Sequence, residues 1–292
     1  MDQGSGVKRL FCFGLGYSAE VLARRLKDAG WSIAGTAREE VNIARLRDAG
    51  FDVVRFTGEP SAEAAELAAA STHLLHSIPP QEDGDPVLPN FGERLSAARE
   101  LEWVGYLSTV GVYGDHDGAL VDETSALKAI SKRTRARIDA ERLWLAFGAM
   151  TGVPVQIFRL AGIYGPGRSA LDKIEAGTAR RIVKPGQVFN RIHVEDIATV
   201  LEASIAKPTP GEIFNVADDE PTPPEDLIAY AAELLGVEPP PEEPFDEAEM
   251  SEMARSFYGD NRRVSNRRIK DKIGVTLRYP NYREGLRALL AK

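Results

Sequence analysis

The 292-residue chain carries a formal net charge of -8 and has a sequence pI near 5.2. This balance argues against a nucleic-acid-binding protein, because phosphate backbones are bound by clustered lysine and arginine. The hydrophobic content of 43% is ordinary for a globular protein, and no apolar run is long enough to span a membrane. The single cysteine, Cys12, lies in an apolar segment and cannot form an internal disulfide, so we expect a reduced thiol in a soluble, cytoplasmic protein.

The first half of the chain alternates short apolar segments with segments whose apolar residues recur at helical spacing. Such alternation is typical of βαβ units, which build a parallel sheet. The predicted strands are 9–13, 31–36, 51–56, 72–78, 103–107, 155–160 and 212–216, and the predicted helices are 17–29, 41–49, 62–70, 91–99 and 131–147.

The rhythm breaks after Leu160. A glycine-rich loop occupies 162–168, a helical stretch begins at 221–224, and 237–249 is an acidic loop with three consecutive prolines. From about Pro221 onward strand–helix alternation is lacking. The pattern therefore predicts an α/β fold: a Rossmann-type, doubly wound parallel sheet with a smaller, mainly helical C-terminal lobe.

A glycine motif of the form GxGxxA lies between the first strand and the first helix: Gly14-Leu15-Gly16-Tyr17-Ser18-Ala19. In a dinucleotide-binding turn the first glycine permits the tight turn, the second lets backbone approach a pyrophosphate, and a small third residue lets helix pack on strand. The helix N-terminus then presents N–H groups and a positive dipole end to the anion. We predict that these six residues bind a dinucleotide.

The end of the second strand bears on the choice between NAD and NADP. An acidic residue about 20 positions after the glycines binds the ribose 2′-hydroxyl of NAD, but Thr36 and Ala37 occupy this place and Arg38 follows. Arginine can pair with the 2′-phosphate of NADP. We predict NADP as cofactor, with NAD possible and NADPH bound at least about tenfold tighter than NADH; the alternative for Arg38 is a solvated surface arginine.

Four further segments occur in a familiar order: Leu107-Ser108-Thr109-Val110-Gly111-Val112-Tyr113-Gly114, then residues 159–167 (RLAGIYGPG), 191–198 (RIHVEDIA) and 211–217 (GEIFNVA). With the glycine motif, they resemble the extended short-chain dehydrogenases/reductases, the NAD(P)-dependent epimerases and dehydratases. The resemblance implies a Rossmann core and a lobe that closes over a substrate, often a nucleotide sugar. It places the NAD(P)-binding domain at 1–163, completed by about 193–218, and the substrate-side lobe at 164–192 and 219–292.

The family's chemistry is hydride transfer, with an active-site Ser or Thr and a Tyr-x-x-x-Lys pair on the following helix. Thr109 aligns with the Ser or Thr, but counting back from Glu141 places Arg133 at the Tyr position and Arg137 at the Lys position. Arginine does not exchange a proton at ordinary pH. Arg137 could instead bind the nicotinamide ribose and Arg133 an anionic substrate group, or both belong to a solvated basic helix face. Tyr113 is a second catalytic candidate, with packing as the alternative.

The remaining site predictions rest on strand ends and on the resemblance. Ligands of open parallel sheets bind at the carboxyl ends of the strands. We therefore expect Ser77 and Ile78 to lie beside the cofactor ribose, and we predict that Ser108 also contacts the cofactor. Arg168 and Arg191 are predicted to bind anionic substrate groups, with an interlobe salt bridge as the alternative. No spacing of His, Cys, Asp and Glu resembles a metal site.

Two functions follow from these residues. The first is an NADP-binding oxidoreductase or epimerase of atypical kind, acting on a small or nucleotide-sugar-like substrate with a rearranged acid/base. The second is an NADP(H)-sensing or regulatory binding protein that retains the cofactor site without turnover. The expected partner is a small-molecule substrate, with a homodimer possible and neither nucleic acid nor membrane expected.

Overall fold

The computed structural model describes residues 7–81, 83–128 and 131–291. None of the helices within this part of the chain is long and apolar enough to cross a bilayer. The elements, in chain order, are β1 (Arg9–Phe13), α1 (Tyr17–Asp28), β2 (Ser32–Ala37), α2 (Glu40–Asp48), β3 (Asp52–Arg55), α3 (Ala62–Ala69), β4 (His73–His76), α4 (Leu88–Ser96), β5 (Trp103–Thr109), β6 (Leu120–Val121), α5 (Lys132–Thr151), β7 (Val155–Leu160), β8 (Gly162–Tyr164), α6 (Ala170–Glu175), β9 (Arg181–Val183), β10 (Arg191–His193), α7 (Val194–Ala206), β11 (Ile213–Val216), α8 (Pro224–Leu235), β12 (Glu242–Pro244), α9 (Glu252–Phe257), β13 (Arg263–Val264), α10 (Arg267–Ile273) and α11 (Tyr282–Leu290).

Seven strands form one sheet in the order β11-β7-β5-β4-β1-β2-β3. Strand β1 pairs in parallel with β2 on one side and with β4 on the other, and β2–β3 and β4–β5 are parallel as well. The chain thus winds outward from β1 to one edge and then returns to build the other half. This is the doubly wound arrangement, with its switch point between β1 and β4. The predicted fold class is confirmed.

The apolar residues whose spacing predicted α1 form the face of the helix that is buried. Ala19, Leu22 and Leu26 are buried on one face, as residues spaced by three or four positions must be. A core cluster beside the sheet includes the buried rings of Phe11, Phe13 and Trp144. Burying such a side chain stabilises the fold by about 1.5–3 kcal/mol. Strand β4 is shorter than predicted because the chain leaves the sheet at Ser77, before Pro79 and Pro80.

The chain divides into two compact units. Unit 1 runs to Thr109 and includes Ser131–Arg159 and Ala198–Phe214, whereas unit 2 includes the stretch that begins at Val110, Leu160–Ile197 and the chain from Asn215 onward. The seven-stranded sheet belongs to unit 1 up to boundaries that fall inside β7 and β11. The stretch after Val110, predicted as part of the domain 1–163, groups with unit 2 because β6 pairs with β13.

Unit 2 contains three pairs of short parallel strands, β8–β10, β9–β12 and β6–β13. Helices α6, α8 and α11 contribute to one apolar cluster, in which Leu171, Ile228 and Leu286 are buried. The sequence did not predict these strands, because two or three residues are too few to show an alternating pattern. Helix α7 was also missed, and the predicted loop at 237–249 contains the short strand β12.

Candidate functional site

The turn after β1 requires glycine at its first position. Gly14 has a φ of +83°, a left-handed conformation that side chains disfavour. A Cβ at this position would lie 2.9 Å from both Ser77 Oγ and Ile78 Cγ1. The turn is therefore closed against β4, and Ser77 and Ile78 lie where the sequence predicted them, beside the glycine motif.

Gly16 serves a different purpose, because its backbone is one that other residues adopt. It is the N-cap of α1 with φ -95° and ψ -167°, and a Cβ there would meet nothing within 4 Å. Open space thus lies in front of the first turn of α1, where backbone N–H groups have no partner within the helix. Leu15, Ser18 and Ala19 are buried behind it, and Tyr17 is half-buried. An anionic group can approach this helix start closely.

Two hydroxyl groups hold the turn in place. Gly14 N donates to Thr36 Oγ1 at 2.8 Å, and Leu15 N donates to the Thr36 carbonyl at 2.7 Å. From the other side, Ser77 Oγ donates to the carbonyls of Gly14 and Phe13. The turn is therefore anchored to both neighbours of β1. In the sequence Thr36 is notable only as a position without an acid, although a hydroxyl residue near the end of an apolar strand is a signal for such an anchor.

Arg38 follows β2 directly and is exposed. Ala37 is in register with Arg55, the last residue of β3, which is also exposed. Two arginines therefore lie at the carboxyl ends of neighbouring strands: Arg55 ends β3, and Arg38 is the first residue after β2. Sequence reasoning did not identify Arg55, because the pairing of β2 with β3 brings it there.

Ser108 is hydrogen-bonded to the carboxylate of a buried ion pair. Its hydroxyl donates to Glu141 Oε1 at 2.5 Å, and Glu141 Oε2 accepts from Arg159 Nη2 at 2.7 Å. The Glu141 and Arg159 side chains are 4% and 3% exposed. This bond ties β5 to α5, and it does not support the predicted cofactor role of Ser108. The sequence did not predict this pair, because Glu141 and Arg159 lie on different elements that only the fold brings together.

A second buried polar network lies beneath the loop after β4. Asp85 Oδ2 lies 2.7 Å from His76 Nε2 and accepts from Trp144 Nε1 at 3.1 Å. Asp85 Oδ1 accepts from the backbone N–H groups of Val87 and Leu88, which begin α4. Burial opposes ionisation, yet the bonds from His76, Leu88 and Trp144 outweigh it, so the pKa of Asp85 is lowered. The network fixes the loop rather than forming a reaction site.

Helix α5 brings one arginine to the carboxyl end of β5. Arg137 Nη1 donates to the Leu107 carbonyl at 3.0 Å and lies 3.3 Å from the Tyr106 hydroxyl. Arg133, one turn earlier and therefore on the same side of the helix, is exposed. Thr109, the last residue of β5, is half-buried. Positive charge from α5 is thus held near the strand end that carries Thr109.

Unit 2 contains the other predicted site residues. Tyr113 is fully buried and its hydroxyl donates to Asn215 Oδ1 at 2.7 Å, which favours a packing role and does not support the predicted catalytic role. Arg168 is exposed in a turn where Gly165 and Arg168 form a bridge. Arg191 is buried in β10. His193 is buried between the rings of Tyr164 and Tyr279. Over the described ranges, no group of three His, Cys, Asp or Glu residues could hold a metal ion.

Comparison with known proteins assigns the chain to a family. The model of the NAD dependent epimerase/dehydratase family matches residues 14–217, from the glycine motif through β11. The chain belongs to this family. Among curated proteins, Protein YeeZ of Escherichia coli (strain K12) is 27% identical over 291 residues, which cover 94% of this chain and 97% of YeeZ.

Two solved structures are similar to this chain over nearly its whole length. A functionally unknown conserved protein from Silicibacter pomeroyi DSS is 52% identical, with 98% of this chain and 99% of that chain covered and a TM-score of 0.88. UDP-glucuronic acid 4-epimerase from Bacillus cereus, in complex with NAD, is 17% identical, with 96% of each chain covered and a TM-score of 0.75. At that identity the likeness shows the fold alone. The recognition of an atypical extended short-chain dehydrogenase/reductase is confirmed.

Helix α5 departs from what the resemblance to the family implies. The tyrosine and lysine that the resemblance leads one to expect are Arg133 and Arg137 here. Arg137 keeps a positive charge at the end of β5 through its bond to the Leu107 carbonyl. It supplies hydrogen-bond donors but no group that can exchange a proton near neutral pH.

Proposed function

We propose that this family member binds NADP(H) in unit 1 and is an atypical oxidoreductase or epimerase. The observation that carries the proposal is the turn at Gly14 and Gly16. Gly14 closes the turn against β4, and the open space at Gly16 leaves the start of α1 accessible to a pyrophosphate. Leu15, Tyr17, Ser18 and Ala19 complete the proposed cradle. The proposed NAD(P)-binding domain is residues 1–163, completed by about 193–218, and the proposed substrate-side lobe is residues 164–192 and 219–292.

NADP is proposed in preference to NAD because of the charges at the end of β2. No carboxylate occupies positions 36 or 37, and Arg38 and Arg55 are both exposed at this edge. A guanidinium forms strong, charge-assisted hydrogen bonds with the 2′-phosphate of NADP, whereas its hydrogen bond with the neutral 2′-hydroxyl of NAD is weaker. Ser77 and Ile78 border the turn on the β4 side and are proposed to line the ribose.

The proposed reaction is hydride transfer, for which the bound nicotinamide supplies the hydride donor or acceptor. Thr109 is proposed to hydrogen-bond the reacting oxygen, and Arg137 to hold the nicotinamide ribose in place of the family lysine. Arg133, Arg168 and Arg191 are proposed to bind anionic parts of the substrate. A small or nucleotide-sugar-like substrate is supported by the family and by neighbours of the same fold, one of which is a UDP-glucuronic acid 4-epimerase.

Calorimetric titration with NADPH and NADH tests the cofactor. We expect NADPH to bind at least about tenfold tighter than NADH, and Arg38→Ala to remove most of that preference while leaving NADH affinity unchanged. Arg142→Ala is the matched control, because Arg142 is an exposed arginine of unit 1 that pairs with Asp139. Equal affinity for the two cofactors, or an Arg38→Ala variant that keeps the full preference, would contradict the proposal.

A second function, NADP(H) sensing without turnover, is favoured by one observation, the arginines at the Tyr and Lys positions of α5. Restoring the pair in Arg133→Tyr/Arg137→Lys separates the two functions. A sensing protein shows no hydride transfer with a panel of UDP-sugars before the change, and gains activity with it. An enzyme with arginine-based chemistry is active before the change and loses activity with it. Absorbance of the reduced nicotinamide reports net oxidation or reduction, and chromatography of the UDP-sugars reports epimerisation, in which the cofactor is regenerated.

A further inference from the structure

Tyr106 is a fully buried residue of β5 whose hydroxyl contacts Arg137. Its exposure is 0%, and a phenylalanine ring would fill the same space. A hydroxyl in such surroundings costs free energy unless it forms a hydrogen bond. Within the described ranges its one hydrogen-bond partner is Arg137, whose Nη1 donates to it at 3.3 Å. The hydroxyl is thus accounted for by Arg137 alone.

The ring of Tyr106 packs against two other rings, which give its hydroxyl a fixed position. His76 is the residue opposite Tyr106 in the pairing of β4 with β5, and the two ring centroids lie 5.0 Å apart. Trp144 of α5 stacks on Tyr106 at a centroid distance of 6.4 Å. Both rings are bonded to Asp85 Oδ2, which lies 2.7 Å from His76 Nε2 and 3.1 Å from Trp144 Nε1. The network that fixes the loop after β4 therefore also holds Tyr106.

Arg137 lies on the face of α5 that packs against β5. Arg137, Glu141 and Trp144 are spaced by four and three residues, which places them on one side of the helix. Glu141 and Trp144 are buried, whereas Arg137, the nearest of the three to the helix start, is half-buried. Its contacts are with the last residues of β5, and ligands of parallel sheets bind at such carboxyl ends.

The guanidinium of Arg137 is anchored through one of its three nitrogens. Nη1 donates to the Leu107 carbonyl at 3.0 Å as well as to the Tyr106 hydroxyl. Among the described residues, Nη2 and Nε have no hydrogen-bond partner, and neither is sealed from solvent. Because a guanidinium is planar and rigid, two acceptors on Nη1 set the direction of all its other N–H groups.

A structural arginine of the same unit is bonded differently. Arg159 directs Nε and Nη2 at the carboxylate of Glu141, and its side chain is 3% exposed. Its charge is matched by the opposite charge and is turned inward. Both acceptors of Arg137 are neutral, since burial raises the pKa of Tyr106 and keeps its hydroxyl protonated. The charge and the remaining donors of Arg137 therefore stay available to a ligand.

We infer that Tyr106 is a positioning residue: its hydroxyl, together with the Leu107 carbonyl, fixes Arg137 so that the remaining donors of Arg137 bind the nicotinamide ribose of the cofactor. A ribose is neutral and does not draw in a flexible side chain by charge, so donors that are already ordered save the entropy of ordering them on binding. Tyr106 acts through Arg137 and touches no ligand itself. The inference rests on the proposed function, in which Arg137 binds this ribose.

Calorimetric titration with NADPH and with 2′,5′-ADP, which contains the adenine half of NADP without the nicotinamide ribose, tests the role of Tyr106. Tyr106→Phe removes only the hydroxyl and should weaken NADPH binding by about three- to tenfold. Its affinity for 2′,5′-ADP should change less than about twofold, because that ligand does not reach Arg137.

The matched control for this variant is Ser204→Ala. It also removes a buried hydroxyl of unit 1 that accepts from an N–H group, in this case Trp103 Nε1 at 2.9 Å. Both affinities should stay within about twofold of the wild type. Circular dichroism checks that each variant is folded, and 2′,5′-ADP binding reports that the adenine half of the site is intact.

A double-mutant cycle distinguishes positioning from packing. Tyr106→Phe is measured in the wild type and in Arg137→Met, which keeps an unbranched side chain but has no donors. If Tyr106 acts through Arg137, loss of the hydroxyl changes NADPH affinity less than about twofold in the Arg137→Met background. A Tyr106 that only packs would cause the same change in both backgrounds.

Three results would overturn the inference while leaving the proposed function intact. They are NADPH binding by Tyr106→Phe as tight as that of the wild type, equal weakening of NADPH and 2′,5′-ADP, and equal weakening of NADPH with and without Arg137. A wild type that does not bind NADPH would instead refute the proposed function, and the inference with it.

Discussion

The same substitution at the two glycines of the turn should impair cofactor binding in both cases but destabilise the fold in only one. In Gly14→Ala a residue with a Cβ must adopt the left-handed φ of +83°, which costs about 1–2 kcal/mol. It also meets Ser77 Oγ and Ile78 Cγ1 at 2.9 Å, an overpacked contact that costs about 1–3 kcal/mol more. We therefore expect Gly14→Ala to lower the free energy of unfolding by about 2–5 kcal/mol and to abolish cofactor binding.

Gly16→Ala should leave the free energy of unfolding within about 1 kcal/mol of the wild type. Its φ of -95° suits alanine, and the added Cβ contacts nothing within 4 Å. That open space is where the pyrophosphate is proposed to lie, so NADPH affinity should fall by at least about tenfold.

Urea unfolding of the cofactor-free proteins and fluorescence titration with NADPH measure the two effects separately. If Gly16→Ala were as unstable as Gly14→Ala, the distinction drawn between the two positions would be wrong. If Gly16→Ala bound NADPH as tightly as the wild type, the cofactor would not approach the start of α1.

Three further outcomes are expected. Glu141→Gln leaves the buried Arg159 charge unpaired and should lower the free energy of unfolding in urea by about 3–5 kcal/mol, against about 1 kcal/mol for Ser108→Ala; equal losses would refute the ion pair's dominance. The pKa of Asp218 is raised to about 8, so folding takes up a proton at this carboxyl, and the wild type should lose stability relative to Asp218→Asn as pH rises from about 4 to about 8; a stability difference between the two proteins that does not change with pH would contradict this. Burial raises the pKa of the Cys12 thiol, so iodoacetamide followed by mass spectrometry should label it only after unfolding.

The core of the fold could be predicted because its signals are local. Each strand of the sheet is a short apolar run, each covering helix repeats its apolar residues at helical spacing, and glycine or proline separates them. The glycine motif was recognisable for the same reason, since a strand, a turn and a helix N-terminus are adjacent in sequence. The short strands of unit 2 were missed because pairings such as β6 with β13 join segments far apart in the chain.

The sequence by itself therefore determined the fold class, the family and the position of the proposed cofactor turn. Only the tertiary structure decided what individual polar side chains do. Thr36 anchors the turn, Ser108 joins a buried ion pair, and Tyr113 packs against Asn215, because each meets a partner that the fold brings from elsewhere. Arg191 is the reverse case, a motif residue whose burial leaves its charge without a direct counter-ion. Hydrogen bonding and desolvation depend on neighbours in space, and a sequence pattern does not contain them.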